Sequence, residues 1–240
     1  METKVDEIAD RIYRLSTFVP DVGPTGFTFN QFVIDADEPA IFHTGPRTMF
    51  PLVSEAVASV VPLDQLRWIM FGHLESDECG AMNLFLAAAP NSQVAHGVTG
   101  CMVSINDLAD RPPAQIQPEG THDLGGKFLR NIDTPHVPHG WDAHVLYEET
   151  TGTLFCGDLL SQVGQGPALT NNDVIDAAGR TEDMFGSTCL TPSTAPTIRR
   201  LAELEPKTLA IMHGSSYNGD GVKALLALAD DYERRLANAG

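Results

Sequence analysis

Four ionisable side chains stand together in the hexapeptide HLESDE: His73, Glu75, Asp77 and Glu78. They follow LRWIMFG, an apolar run that predicts a buried strand, so they lie where that strand should end. Buried charges cost free energy unless they are paired or bound to a metal ion. If the strand opens into a loop here, the alternating His73, Glu75 and Asp77 can all face one cavity. The hexapeptide therefore predicts a metal-binding segment.

Three further candidates, His139, Asp158 and His213, each come shortly after an apolar strand, respectively KFLRNI, GTLF and TLAI. Layered α/β proteins gather functional groups at the ends of their strands. Together with His73, Glu75 and Asp77, these residues make three histidines and three carboxylates. That set suffices for two metal ions about 3.5–4 Å apart that share one carboxylate. A single ion would leave surplus negative charge unpaired.

Strand-like segments alternate with helix-like segments along the whole chain. The predicted strands are IYRLST, GFTFNQFVI, PAIFHTG, LRWIMFG, SQVAHG, KFLRNIDTP, DAHVLYEE, GTLFCG and TLAIMHG. The predicted helices are TMFPLVSEAVASVV, ECGAMNLFLAAAP, TAPTIRRLAELEP and DGVKALLALADDYERRL, the last with Asp220 as its N-cap. Weak strand signals occupy residues 110–126, and residues 161–190 are predicted to form a long irregular excursion over a site.

The order of these elements gives two similar halves without a linker between them. We therefore expect an α/β protein with one domain over residues 1–240, in which two sheets pack together and the helices lie outside. The chain has 240 residues, a length that fits one layered core.

The composition of the chain indicates which partners the protein can bind and in which cellular compartment it is expected. A formal net charge of −17 repels phosphate backbones, which argues against nucleic acid as a partner. No apolar run is long enough to cross a bilayer, and the first residues lack the features of a signal peptide, so a cytoplasmic location is expected. The four cysteines lie far apart without a CxxC pair, which predicts free thiols.

The order of these motifs, HxExD, TPxxxxH, GD and HG, resembles the metallo-β-lactamase superfamily over nearly the whole chain. Most of that superfamily has histidine where this chain has Glu75, and the exchange is similar to flavodiiron proteins and to oxygen-binding diiron proteins. The resemblance implies an αββα four-layer sandwich. It also implies that His73, Glu75 and His139 hold one iron, that Asp77 and His213 hold the other, and that Asp158 bridges them.

Two departures from the family pattern bear on this expectation. The residue after Asp77 is usually histidine in the family, whereas here it is Glu78, which could ligate the second metal, bond a metal-bound water, or cap the following helix. We expect the protein to work without the flavodoxin module of the flavodiiron proteins, so that electrons would come from a donor protein or a soluble flavin. Carboxylate ligands favour iron or manganese, although zinc also accepts them.

Four functions remain open at this point. The first is a diiron protein that binds, activates or reduces dioxygen, with nitric oxide as a related substrate. The second is a binuclear hydrolase of an ester, lactone or phosphodiester, in which Asp77 orients a metal-bridging hydroxide. The third is a gas sensor, and the fourth is a diiron oxygenase of an organic substrate. In flavodiiron proteins a head-to-tail dimer brings flavin to iron. Without the flavin module the reason for such a dimer is gone, and a homodimer stays one of the open oligomeric states.

The remaining histidines are assigned supporting roles. His136 is the rival of His139 as a ligand, but the spacing to Asp158 favours His139. Asp142 and His144 are expected to support the ligand His139 from behind. His43, His96 and His122 are expected at the surface or as hydrogen-bonded core residues. The same interpretation is the alternative for His144. Ser215 and Tyr217 are candidates for lining the pocket, and Phe71, Met82 and Trp141 for the core or cavity wall.

Overall fold

A computed structural model describes residues 1–239 of the chain. Two seven-stranded sheets form its centre, with strand orders β1-β2-β3-β4-β5-β6-β7 and β12-β14-β13-β11-β10-β9-β8. The strands are β1 Thr3–Ala9, β2 Ile12–Val19, β3 Phe27–Ile34, β4 Ala40–Phe42, β5 Trp68–Met70, β6 Gln93–Gly97, β7 Ala114–Ile116, β8 Thr121–Asp123, β9 Phe128–Asp133, β10 His144–Glu148, β11 Thr153–Phe155, β12 Leu169–Thr170, β13 Thr208–Ala210 and β14 Ser216–Tyr217.

Helices cover the outer faces of the two sheets. They are α1 Phe50–Ala58, α2 Ser76–Cys79, α3 Met82–Ala88, α4 Val98–Gly100, α5 Asn106–Leu108, α6 Ile175–Phe185, α7 Thr194–Ala202 and α8 Gly221–Ala239. A π-helical segment, Cys101–Ile105, joins α4 to α5, and 3-10 turns cover Arg47–Met49 and Leu63–Gln65.

Both sheets combine antiparallel hairpins with parallel strands, and at the end of the second sheet β14 pairs antiparallel with β13 and parallel with β12. β1 to β4 pair antiparallel, after which β4, β5, β6 and β7 run parallel. In the second sheet β8 to β11 pair antiparallel, whereas β11 and β13 are parallel, with Phe155 opposite Ala210. Because parallel strands end at the same edge, the segments that follow β11 and β13 leave the sheet side by side.

The alternation of apolar residues along the strands explains the layering. In β3, Val33 belongs to the apolar cluster that contains Val53 of α1 and Phe85 of α3. Its neighbour Phe32 belongs to the cluster between the sheets, where its ring lies 5.5 Å from that of Phe155 in the second sheet. A third cluster packs the outer face of the second sheet against α6, α7 and α8. The result is an αββα sandwich, which confirms the expected fold class.

Residues 110–126 contain the short strands β7 and β8, in agreement with the weak strand signals there. The structure differs from the sequence-based expectation in other elements. β1 was not predicted, because its residues TKVDEIA are polar and half exposed. The region 161–190 is not irregular throughout, since it contains β12 and the eleven-residue helix α6. The sequence of α6 obscures its periodicity, because Gly179 interrupts it and Thr181 and Glu182 are among its few buried residues.

The structure agrees with the expected N-cap of the last helix and with the expected state of the cysteines. Asp220 caps α8, because its Oδ1 accepts a hydrogen bond from the Lys223 backbone N–H at 2.9 Å. All four cysteines are free thiols. Among residues 1–239, no helix combines the length and the apolar character that crossing a bilayer requires.

Candidate metal centre

Four of the predicted ligands converge on one point from three loops. One donor atom from each of His73, Glu75, His139 and Asp158 lies within 4.8 Å of all the others. Glu75 Oε2 is 2.8 Å from His73 Nε2 and 3.0 Å from His139 Nε2. Asp158 Oδ2 is 3.3 Å from His139 Nε2 and 3.7 Å from His73 Nε2. We call this group the first pocket.

The other two predicted ligands lie on the opposite side of Asp158. His213 Nε2 is 3.1 Å from Asp158 Oδ1 and 3.4 Å from Asp77 Oδ2. We call this group the second pocket. Asp158 therefore turns one oxygen to each pocket, which is the arrangement that a bridging carboxylate requires.

The strand ends set these positions. His73, Glu75 and Asp77 follow β5, and the chain turns into α2 at Glu75, whose φ of −137° is extended. The Leu74 backbone N–H donates to Asp142 Oδ2 at 3.1 Å, which fixes the loop between the first two ligands. Gly140, at φ 85°, passes so close to His73 that a Cβ atom there would lie 3.2 Å from that ring. A side chain at position 140 would press on the ligand.

The turn that carries His213 is clamped by the first sheet. Asn30 Nδ2 donates to the carbonyls of Ile211 and Gly214 at 2.8 and 2.9 Å. The buried Arg14 donates to the same Gly214 carbonyl at 2.8 Å. His213 Nδ1 lies 2.9 Å from the Thr28 carbonyl, which can only accept. Nδ1 therefore carries the proton, and Nε2 is left free to face the carboxylates.

Electrostatics within the centre favour histidine cations beside carboxylate anions when no metal is bound. Burial lowers the pKa of His73, but the Glu78 charge and a hydrogen bond to Glu75 outweigh it and raise that pKa to about 11. Burial likewise lowers the pKa of His213, but the carboxylates of Asp158 and Asp77, 3.1 and 3.4 Å from its Nε2, outweigh burial and raise that pKa to about 10. Burial also works against ionisation of Asp158, yet the neighbouring histidines, His213 first, keep its pKa below the ordinary value.

The donor set fits divalent metal ions. Its carboxylates face one another across the centre, and among the described residues Asp158 Oδ1 has no hydrogen bond of acceptable geometry. Three imidazoles direct Nε2 towards these anions. Imidazole and carboxylate ligands suit iron, manganese and zinc alike.

A cleft of about 250 Å³ opens onto the centre. One wall is apolar, and Phe27 stacks on His213 with ring centroids 4.3 Å apart. The other wall includes Ser161 and two residues from α6, Thr181 and Phe185. The predicted excursion over the site thus contributes a helix, α6, to the cleft wall. Sequence reasoning did not identify Phe27, although Phe27 and Phe29 alternate on β3 and so share a face.

Glu78 is fully buried behind His73. Its Oε2 accepts a hydrogen bond from the His73 backbone N–H at 2.6 Å, and its Oε1 lies 3.1 Å from His73 Nδ1. His136 is exposed and stands outside the cluster of donors. Neither Ser215 nor Tyr217 lines the cleft, since Ser215 is buried and Tyr217 lines a separate surface cleft.

The buried histidines differ from the expectation that histidines in the core would be hydrogen-bonded. His43, His96 and His144 are core residues, but they are not fully hydrogen-bonded. Within residues 1–239, His43 Nε2 and both ring nitrogens of His96 and His144 have no hydrogen-bond partner. Asp142 supports the site through the Leu74 backbone rather than through His139.

Comparison with known proteins agrees with this geometry. The profile of the family described as ODP family beta lactamase matches residues 27–214. An anaerobic nitric oxide reductase flavorubredoxin from Enterobacter sp. (strain 638) is 24% identical over 153 residues, which are 62% of this chain and 31% of that protein. This chain spans between 23% and 33% of the length of the curated relatives it matches.

Two solved structures share the fold. The rubredoxin oxygen:oxidoreductase of Desulfovibrio gigas has a TM-score of 0.78 and 16% identity, covering 95% of this chain and 62% of that one. The metal-soaked Flv1 flavodiiron core from Synechocystis sp. PCC6803 has a TM-score of 0.80 and 21% identity, covering 98% of this chain and 61% of that one.

Proposed function

The chain belongs to the ODP family of β-lactamase-fold proteins, and on that premise we propose that it holds two iron ions and binds or reduces dioxygen, with nitric oxide as a related substrate. One observation carries the proposal: Asp158 presents one oxygen to each of two adjacent groups of donors. His73, Glu75 and His139 would hold the first iron, Asp77 and His213 would hold the second, and Asp158 would be shared between them. Residues 1–240 act as one domain in this proposal.

A pair of ferrous ions would supply the electrons that activate a bound gas molecule. The side chains of the protein orient the ligands and exclude water from the centre. Thr28 and Glu78 orient the rings of His213 and His73 so that their Nε2 atoms face the centre. The aromatic wall of Phe27 and Phe29 keeps water away from one side of it. Further electrons come from a reduced flavin or an electron-donor protein.

The names of two relatives support the choice of small gases as substrates. The Enterobacter flavorubredoxin is named as a nitric oxide reductase, and the Desulfovibrio protein is named as a rubredoxin oxygen:oxidoreductase. Both are considerably longer than this chain, so their electron-transfer partners do not carry over directly.

Oxygen consumption by the ferrous protein tests the proposal. The full chain is loaded with Fe(II) under anaerobic conditions, mixed with oxygenated buffer and a chemical reductant, and followed with an oxygen electrode. Sustained consumption above that of free Fe(II) at the same concentration supports the proposal. Reversible binding without turnover would instead indicate a gas sensor, and no interaction with oxygen would refute the proposal.

The size of the cleft favours a second candidate, a reaction on an organic substrate. A volume of about 250 Å³ exceeds what a diatomic gas needs, and Ser161, Thr181 and Ser187 offer hydroxyl groups along it. A binuclear hydrolase or a diiron oxygenase would use this space. Turnover of a generic ester, lactone or phosphodiester under strict anaerobiosis, dependent on added zinc or manganese, identifies the hydrolase. Product formation that needs oxygen identifies the oxygenase.

A further inference from the structure

The side chain of Glu78 has an unusual setting for a carboxylate. It is completely buried, and its oxygens lie against His73, one at 2.6 Å from the backbone nitrogen and one at 3.1 Å from ring Nδ1. Its next basic neighbour is His43, whose Nδ1 lies 3.8 Å from the same carboxylate. The ring nitrogen on the far side of His73, Nε2, is the one that faces the first pocket.

The surrounding backbone holds Glu78 in this position. The Glu78 carbonyl accepts hydrogen bonds from the Thr44 N–H at 2.6 Å and from the Thr44 hydroxyl at 3.1 Å. Gly72 leaves room for the carboxylate, since a Cβ atom there would lie 3.1 Å from Oε2, whereas one on Gly157 would be in ordinary contact at 3.6 Å from Oε1. The carboxylate therefore fills a pre-formed space behind His73.

The two pockets differ in the number of donor atoms that they offer to a metal ion. The first pocket has four converging donors, from His73, Glu75, His139 and Asp158. The second pocket brings only Asp77 and His213 to the shared Asp158. A carboxylate behind a ligating histidine fixes its ring and increases its basicity, and removing such a partner typically costs about 10–100-fold in metal affinity.

We propose that Glu78 is a positioning residue for the ligand His73, and that the protein consequently binds two metal ions in two unequal steps, the first pocket being the tighter. This inference rests on the proposed binuclear site. The alternative role for Glu78 is direct ligation of the second metal ion. The two roles differ in which binding step Glu78 controls.

Calorimetric titration of the full, metal-free chain with Fe(II) or Co(II) under anaerobic conditions separates these roles. For the wild type we expect two resolved steps, each of one ion per chain. In Glu78→Gln we expect the first step to weaken about 10–100-fold while the second changes far less. In Asp77→Asn we expect only the second step to weaken. The absorption spectrum of the first Co(II) equivalent should change in Glu78→Gln and stay unchanged in Asp77→Asn.

Glu148→Gln provides a matched control, because Glu148 is an equally buried glutamate that bonds Thr150 and Thr151 away from the centre. It should leave both steps unchanged. Loss of the second step alone in Glu78→Gln, or two equal steps in the wild type, would overturn the inference. If Glu78→Gln fails to fold, the wild-type titration still decides whether the steps are unequal. Absence of any metal binding by the wild type would instead refute the proposed function.

Discussion

At the scale of single residues, Asp158 is the link between the two pockets. It lies 3.1 Å from His213 on one side and 3.3 Å from His139 on the other. We predict that Asp158→Asn lowers the metal content from two ions per chain to one or fewer, because an amide removes the negative charge that both ions share. Elemental analysis after anaerobic loading measures this. Asp35→Asn, which removes a surface partner of Arg11, should retain two ions.

The convergence of the candidate donors is the part of the site that the sequence anticipates. Each candidate follows an apolar strand, and the structure brings together the donor atoms of His73, Glu75, Asp77, His139, Asp158 and His213. The orientation of Glu78 could not be predicted, because ligation, hydrogen bonding and helix capping all suit a glutamate at that position. The contacts of its carboxylate with the backbone N–H and ring Nδ1 of His73 distinguish them.

At the scale of elements, β3 holds the turn after β13 through Asn30. We predict that Asn30→Ala destabilises the protein by about 1–3 kcal/mol, because the buried Ile211 carbonyl loses the Asn30 donor and the Gly214 carbonyl keeps only Arg14. It should also weaken the second metal-binding step, since His213 lies in that turn. Chemical denaturation and metal titration measure the two effects. A destabilised variant with unaltered binding of both ions would contradict the proposed clamp.

The turn between β10 and β11 depends on one ionised carboxylate. Glu148 accepts hydrogen bonds from the N–H and hydroxyl groups of Thr150 and Thr151. Burial opposes its ionisation, but these bonds lower its pKa below the ordinary value. Because the folded-state pKa is the lower one, its stabilising contribution is present above the unfolded pKa of about 4.3 and is lost as the pH falls through the folded value.

We therefore predict that Glu148→Gln lowers the free energy of unfolding by about 1–3 kcal/mol near neutral pH. The difference from the wild type should shrink as the pH falls below about 4. Urea denaturation of both metal-free proteins across this range measures it. A difference that stays constant with pH would show that the charge of Glu148 does not stabilise this turn.

Elements with few buried apolar residues are the ones that sequence patterns do not predict. β1 is half exposed, and α6 buries Ala178, Thr181 and Glu182 rather than an apolar stripe. Strands such as β5 and β11, whose three residues are all buried, are predicted at the right places. The contact of Thr28 with His213 joins residues far apart in the chain, and no local pattern encodes it.

At the scale of the whole molecule, the net charge of −17 shapes encounters with electron donors. An acidic surface attracts cations and repels anions over about 10 Å at an ionic strength of 0.1 M. We predict that the reduction of the ferric protein by a cationic viologen slows as salt is added, whereas reduction by anionic dithionite accelerates. Stopped-flow absorption measures both rates. The same sign of salt dependence for both reductants would contradict this account.

The metal content of the protein tests the central claim most directly. The full chain is purified anaerobically from cells supplied with both iron and zinc, and each metal is measured per chain by elemental analysis. The account predicts close to two irons per chain. Two zinc ions per chain, or no bound metal, would contradict it.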